Sequence, residues 1–404
     1  MPSDFAGRVD DLVDRIGDLR DELIAVRRDL HAHPELAWEE KRTTLVVSDR
    51  LEALGIPVTL LARTGAIAEV GAQDGPVVAL RADLDALPVP DTTVDEWRSN
   101  YSGLAHACGH DVHTAALLGA GLALAGQHAE GPLPGLVRLL FQPAEEMMPG
   151  GALEVVAAGS LDSVQHVFGL HCDPSVDVGL VGLREGPLTG AADSVSVHLH
   201  GRGGHTSRPH LTEDLTYALA KMMTDLPAVL SRRLDPRAGA SMVWGMVRAG
   251  SAKNVIPATG EAMGTLRMLD ATAWDSVQKV IVDSIHQLVA PYGVHADIEY
   301  IRGVPPVVNE PAATVMLHEA ATAALGEGTV VTTAQSLGGE DFAWYLETVP
   351  GAMARLGTRT PGGPTYDLHQ GNLRVDDEAV IAGAKLLGAA ALRSLCGEEP
   401  QPAG

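Results

Sequence analysis

Three short apolar runs in this chain each end in side chains that bind metals or move protons, and no other feature limits its possible folds so sharply. The run 77–81 leads into Ala82-Asp83-Leu84-Asp85, the run 136–141 into Gln142-Pro143-Ala144-Glu145-Glu146, and the run 166–170 delivers His171. Between them the pattern predicts helices, an apolar one reaching about residue 127 and another near 152–158. Buried strand alternating with helix is the rhythm of a parallel sheet. Open α/β sheets place their ligand crevice beyond the carboxyl ends of the strands, so one topological rule brings Asp83, Asp85, Glu145, Glu146 and His171 to one site.

Between the first two runs stands His106-Ala107-Cys108-Gly109-His110-Asp111-Val112-His113. So many metal-competent groups in one stretch need partners that an ordinary loop rarely supplies, and the stretch reads as one wall of a metal site. The competing reading is a polar helix start with Asp111 in its first turn. Glu145-Glu146 tips the balance, because two carboxylates held at a strand end repel unless a cation lies between them. Thiolate, imidazole and carboxylate suit zinc, manganese, cobalt or nickel rather than calcium or magnesium. One glutamate can ligate while its neighbour acts as a base on metal-activated water.

Composition narrows the partner. The 404-residue chain carries a formal net charge of −23, which argues against nucleic acid and anionic membrane and points to a small-molecule substrate. No apolar run approaches a membrane span, and the amino terminus lacks the order of a signal peptide. Three cysteines, Cys108, Cys172 and Cys396, cannot all pair, and two sit beside histidines, which fits a reducing cytoplasm.

Ahead of the three runs, helices are expected over 9–30 and 39–54, with His31 and His33 structural at the end of the first, and a strand over 66–70. Near Gly186-Pro187 the pattern changes. Residues 194–200 alternate, with Val195, Val197 and Leu199 on one face and Ser194, Ser196, His198 and His200 on the other. A helix over 213–232, strands over 242–247 and 261–268, a helix over 274–290 and a strand over 295–301 complete βαββαβ, a two-layer α+β domain at 189–303 inserted between the two parts of a catalytic domain, 1–188 and 304–404. The second part is expected to hold a helix over 312–325, a strand near Thr329, loops over 336–342 and 358–371, the latter carrying His369, and a closing helix over 378–395.

Arg28-Asp29-Leu30-His31 with Pro34-Glu35, Arg81 to Pro88, His106 to Asp111, Gln142 to Glu146, Gly169-Leu170-His171, Gly201-Arg202-Gly203-Gly204-His205, Asn254-Val255-Ile256-Pro257, Gly264-Thr265-Leu266-Arg267 and Gly339-Glu340-Asp341-Phe342 occur in this order. In these motifs, nearly the whole chain resembles the metallopeptidase family of the aminoacylases and dinuclear-metal carboxypeptidases, in particular its amidohydrolase branch of hippurate hydrolases and auxin-conjugate hydrolases. The resemblance implies an α/β catalytic domain, with a mixed, largely parallel sheet flanked by helices, and an inserted ferredoxin-like lid that also forms a homodimer or larger oligomer. It implies two divalent transition-metal ions held by Cys108 as a bridge, His110, Glu146, His171 and His369. Glu145 corresponds to the general base and Asp85 to the aspartate that orients a ligating histidine. Asp83 stands where the peptidase branch has a metal-binding histidine and is left out of the ligand set.

On the lid, the resemblance makes His205 the residue that polarises the scissile carbonyl, with Asn254 and Arg267 holding the substrate carboxylate. The implied reaction is hydrolysis of N-acyl amino acids, N-acetyl, N-benzoyl or similar, to a carboxylic acid and a free amino acid. A dipeptidase or aminoacylase of broader scope is the neighbouring alternative; a metal-binding relative without hydrolysis is opposed by Glu145, Asp85 and His205. The chain departs from the family twice. His369 is followed by Gln370-Gly371-Asn372-Leu373 instead of proline and an aromatic residue, and Met147-Met148-Pro149-Gly150-Gly151 replaces a more glycine-rich run, which narrows or apolarises the acyl side unless the Met pair is plain packing.

Overall fold

The structure, a computed structural model, describes residues 3–397. Its described residues divide into two compact units, the smaller comprising Thr189–Val307 with Gln335–Glu340. The boundary expected after residue 303 therefore falls after Val307. Residues 335–340, read from the sequence as part of the larger domain, belong to the smaller unit, where Gly190 N donates to the carbonyl of Gly338 at 3.2 Å.

The larger unit is built on an eight-stranded mixed sheet. Its four central strands, in spatial order Leu136–Gln142, Val77–Asp83, Val164–Asp177 and Gly351–Arg359, run parallel. Ala66–Gly71 and Val58–Leu60 extend one side antiparallel, while Val181–Leu183 pairs antiparallel with Gly351–Arg359 and parallel with Val330–Thr332 on the other. All of Val77–Asp83 is buried, as expected of a strand covered on both faces. The helix His110–Glu130 has an apolar surface all round and is buried along most of its length, packed against Arg20–Ala32, Glu378–Cys396 and the sheet. Contrary to the expectation that no apolar run approaches a membrane span, Glu378–Cys396 is apolar and long enough to cross one, but its most apolar stretch is 89% buried in the protein, which makes it a core helix here.

Several elements differ from the sequence reading, among them the strands Val58–Leu60 and Val181–Leu183, which it lacks. The first helix is two, Ser3–Asp18 and Arg20–Ala32, broken at Leu19. His171 lies inside a fourteen-residue strand, Val164–Asp177, instead of following one. Gly351–Arg359, a central strand, is absent from the sequence reading. Where the chain leaves and rejoins the larger unit, Gly186–Pro187 pairs antiparallel with Val308–Asn309.

In the smaller unit, Ala191–His200, Ser241–Ala249, Thr259–Met268 and His295–Val304 form one antiparallel sheet, in which Ala191–His200 and Thr259–Met268 are central. Helices Leu215–Arg233 and Ala271–Val289 pack on each other and against it. Numbered along the chain, the strand order is 4-1-3-2, a split βαβ arrangement. Val195, Val197 and Leu199 are buried, and the alternate residues of their strand face outward.

Candidate metal centre

Gly109 begins the geometry. It caps the helix His110–Glu130 at φ 88°, a conformation glycine accepts readily, and a Cβ there would stand 2.8 Å from Cys172 Sγ. The turn sets Cys108 and His110 beside His171, and one ligand-capable atom from each of the three lies within 4.8 Å of the others. Cys108, Glu146 and His369 form a second such set, and His110, Glu145 and Glu146 a third. The Cys108 thiol is common to the first two.

Each member is oriented from behind. His110 Nδ1 lies 2.9 Å from the carbonyl of Asp85 and 3.3 Å from its Oδ1, so that ring nitrogen carries a proton and Nε2 is the one left to ligate. Asp85 Oδ2 accepts from Glu146 N at 2.9 Å. His171 Nδ1 donates to the carbonyl of Cys172 at 2.8 Å, leaving Nε2 3.4 Å from Cys108 Sγ. His369, at φ 61°, is tied by its amide to the carbonyl of Ala107 at 2.7 Å, and its Nε2 stands 3.1 Å from Glu146 Oε1.

This donor set fits a pair of transition-metal ions. Buried His110 Nε2 has no hydrogen-bond partner among the described residues, although carboxylate oxygens of Asp83, Glu145 and Glu146 lie at 3.7, 4.0 and 4.0 Å. Ligand atoms around a tetrahedral ion at about 2.0–2.3 Å stand roughly 3.3–3.8 Å from each other; Cys108 Sγ and His171 Nε2 at 3.4 Å fall in that range, and the 3.1 Å from His369 Nε2 to Glu146 and the 4.0 Å from His110 Nε2 to Glu146 lie on either side of it. Burial pushes the Cys108 thiol up, and hydrogen bonding to Cys108 and Glu146 pushes His369 up to about 10. A bound cation would have to displace these protons.

Asp83 and His113 form another ligand-like set with His110, but both are already committed. His113 Nδ1 lies 2.6 Å from Asp83 Oδ1, and its Nε2 accepts from Cys172 N at 2.8 Å. Asp83 Oδ2 accepts from Arg81 at 2.7 Å, and Arg81 also donates to Asp341 at 2.6 Å, all three fully buried. Breaking such a buried pair by removing one partner costs about 3–5 kcal/mol. On the other side of the helix start, Asp111 pairs with Arg27 at 2.8 Å and with His31 Nδ1 at 2.9 Å, which gives His31 its structural work. Next to it, His106 is buried with neither ring nitrogen hydrogen-bonded among the described residues, and burial pushes its pKa down to about 4.

The departure after His369 has a packing cause. Thr92 N donates to the carbonyl of Gly371 at 2.7 Å, and a Cβ on Gly371 would stand 1.9 Å from the carbonyl oxygen of Pro90, so only glycine fits that turn. Met147 and Met148 are 51% and 44% exposed, which rules out plain core packing.

His205, Asn254 and Arg267 belong to the smaller unit. His205 lies on a two-residue strand paired with Val255–Ile256, and the carbonyl of Asn254 accepts from Thr206 N at 3.2 Å. Its Nδ1 accepts from Ser207 N at 3.1 Å, which leaves the proton of a neutral ring on Nε2. Arg267 pairs with Ala192, eight residues along its strand from the Thr259–His200 pair near which the His205 turn begins. At about 3.3 Å per residue, those positions are roughly 26 Å apart.

Residues 79–393 match Peptidase family M20/M25/M40. A Rhodococcus jostii protein named as a glutamate–cysteine ligase is 50% identical over 90% of this chain, which spans only 46% of that relative's length. The N-acetyl-L-cysteine deacetylase of Bacillus subtilis is 38% identical over 95% of this chain and 91% of its own length. Among solved structures, the YXEP protein of Bacillus subtilis, described as a dinuclear metal-binding peptidase of the M20 family, aligns with a TM-score of 0.81 and 34% identity over 94% of this chain and 99% of that one. The chain belongs to Peptidase family M20/M25/M40 and is an amide-bond hydrolase.

Proposed function

We propose that this enzyme hydrolyses the amide bond of N-acyl amino acids, releasing a carboxylic acid and a free amino acid. The observation that carries the reading is Cys108 shared between two three-ligand sets, with Glu145 beside them. Cys108, His110, Glu146, His171 and His369 would hold two divalent transition-metal ions. When bound, such ions polarise the acyl oxygen and make water more acidic.

Glu145, buried beside the ligand set, takes the proton of the attacking water and returns it to the departing amine nitrogen. Asp85 keeps the His110 ring and the Glu146 backbone in register through one carboxylate. His205 donates from Nε2 to the developing oxyanion, while Asn254 and Arg267 bind the substrate carboxylate. The His200 end of the strand, from which the His205 turn leaves, lies roughly 26 Å from Arg267 along the sheet, which favours His205 and Arg267 of one site coming from different chains. The reading is therefore a homodimer, in which the two residues at a site come from different copies. The edge strand Ser241–Ala249, with Val243 and Val247 more than half exposed, supports pairing through the smaller unit.

The deacetylase relative supports the N-acyl class; the peptidase description of the Bacillus structure supports a second reading, a dipeptidase of broader scope. N-acetyl, N-benzoyl and indole-acetyl amino acids, assayed beside dipeptides with manganese, zinc, cobalt and nickel in turn, decide between them. The proposal expects higher kcat/KM on the N-acyl compounds, and preference for free-amine dipeptides would overturn it.

A further inference from the structure

The loop 35–40 is tied to both carboxylate-bearing loops of the centre. The carbonyl of Glu35 accepts from Ala86 N at 2.8 Å, next to Asp85, and Glu40 Oε1 accepts from Ala144 N at 2.8 Å, next to Glu145. The other oxygen of Glu40 accepts from Thr64 Oγ1 at 2.6 Å, and the side chain is wholly buried. A carboxylate withdrawn from water without a cationic hydrogen-bond partner is unfavourable unless what it holds matters.

What it holds is strained. Ala144 sits at φ 54°, in the left-handed region that a Cβ disfavours, immediately before the glutamate pair. Its carbonyl is fixed by Gly151 N at 3.0 Å, so with Glu40 on its amide the residue is held from both sides. Neither the ligand sets nor the roles assigned to Asp85 and Glu145 use Glu40.

We propose that Glu40 is a positioning residue for hydrolysis: its hydrogen bond to Ala144 N sets the turn that aims Glu145 and Glu146, while the Glu35 carbonyl steadies the Asp85 loop. This rests on the reading of Glu145 as base and Glu146 as ligand. Glu40→Ala frees the turn, and a misplaced base should cost on the order of a hundredfold in kcat with little change in KM, together with weaker retention of metal at limiting concentration. Glu40→Gln can still accept from Ala144 N and donate to Thr64 Oγ1, and should stay within about threefold of the parent.

The decisive variant is Glu40→Ala with Ala144→Gly. Glycine adopts the left-handed turn without strain, so at least tenfold of the lost turnover should return. A role confined to stability would lower Tm in Glu40→Ala without that recovery in kcat. Near-normal kcat in Glu40→Ala, no recovery in the double variant, or a folded but inactive Glu40→Gln each overturns the proposal. Should Glu40→Ala fail to fold, Glu40→Gln alone decides. Glu145→Gln in the same assay separates the two levels, since full activity there refutes the underlying reading, whereas an inactive Glu145→Gln beside a fully active Glu40→Ala refutes only the role of Glu40.

Discussion

Asp85 grips His110 twice, through its backbone carbonyl at 2.9 Å and through its carboxylate at 3.3 Å. The carbonyl survives any substitution of the side chain, so His110 should keep its tautomer in Asp85→Ala while Glu146 N loses its acceptor. The expected result is roughly a 10- to 100-fold loss in metal affinity or turnover, read by metal titration and steady-state kinetics. An unchanged variant would remove Asp85 from the support of the centre.

Glu145 and Glu146 are neighbours with different proposed work. Glu145→Gln should keep its metal and lose on the order of a hundredfold or more in turnover, whereas Glu146→Gln should lose metal too. Elemental analysis of both proteins checks this, and the opposite pattern would exchange the two roles. In the parent, chelation should remove about two ions and all activity, and added metal should restore it.

His205→Ala should lower turnover strongly with metal content unchanged, because no proposed ligand lies in the smaller unit. If the residue serves the neighbouring copy, mixed dimers of His205→Ala and Glu145→Gln chains should regain part of the activity that each lacks alone. Mixing proven by tagged chains without any recovery would assign the residue to its own chain's site.

Acid stability should report on His106. Its folded pKa, about 4, lies below the ordinary 6.5, so the unfolded chain takes up the proton first and stability drains away as pH falls from about 6.5 towards 4. The shift is worth about 3 kcal/mol. His171 is shifted in the same direction, also by burial. Asp111, held low despite burial by Arg27 and His31, contributes stability lost only below its unfolded value of 3.8. Urea unfolding of metal-free protein at several pH values should show a flatter acid limb for His106→Gln than for the parent; parallel curves would refute the assignment.

Much of the fold was legible because strand ends coincide with clustered chemistry: Asp83, Asp85 and the glutamate pair stand where apolar runs stop. What escaped did so for physical reasons. Gly351 and Gly357 look like turn signals, yet a Cβ on either would lie 2.1 Å from a carbonyl oxygen of the adjacent strand, so they mark close approach inside a sheet. Cys172-Asp173-Pro174 reads as the end of a strand, but pairing with Gly351–Arg359 carries Val164–Asp177 through it. The supports behind the ligands were invisible because Arg27 and Asp111, or Arg81 and Asp341, meet only in three dimensions. Arg81 alone left a trace, a charge inside an apolar run.

The ladder between Gly186–Pro187 and Val308–Asn309 makes the smaller unit a detachable module. Paired residues on neighbouring strands are about 5 Å apart, a gap that a two-residue hairpin turn closes. A chain spliced from Pro187 through such a turn to Val308, with 335–340 shortened to a polar linker, would retain every proposed metal ligand and lose His205, Asn254 and Arg267 together. Such a protein would be a metal carrier without its substrate clamp, and its metal affinity set beside that of the parent would measure how far the two tasks can be separated.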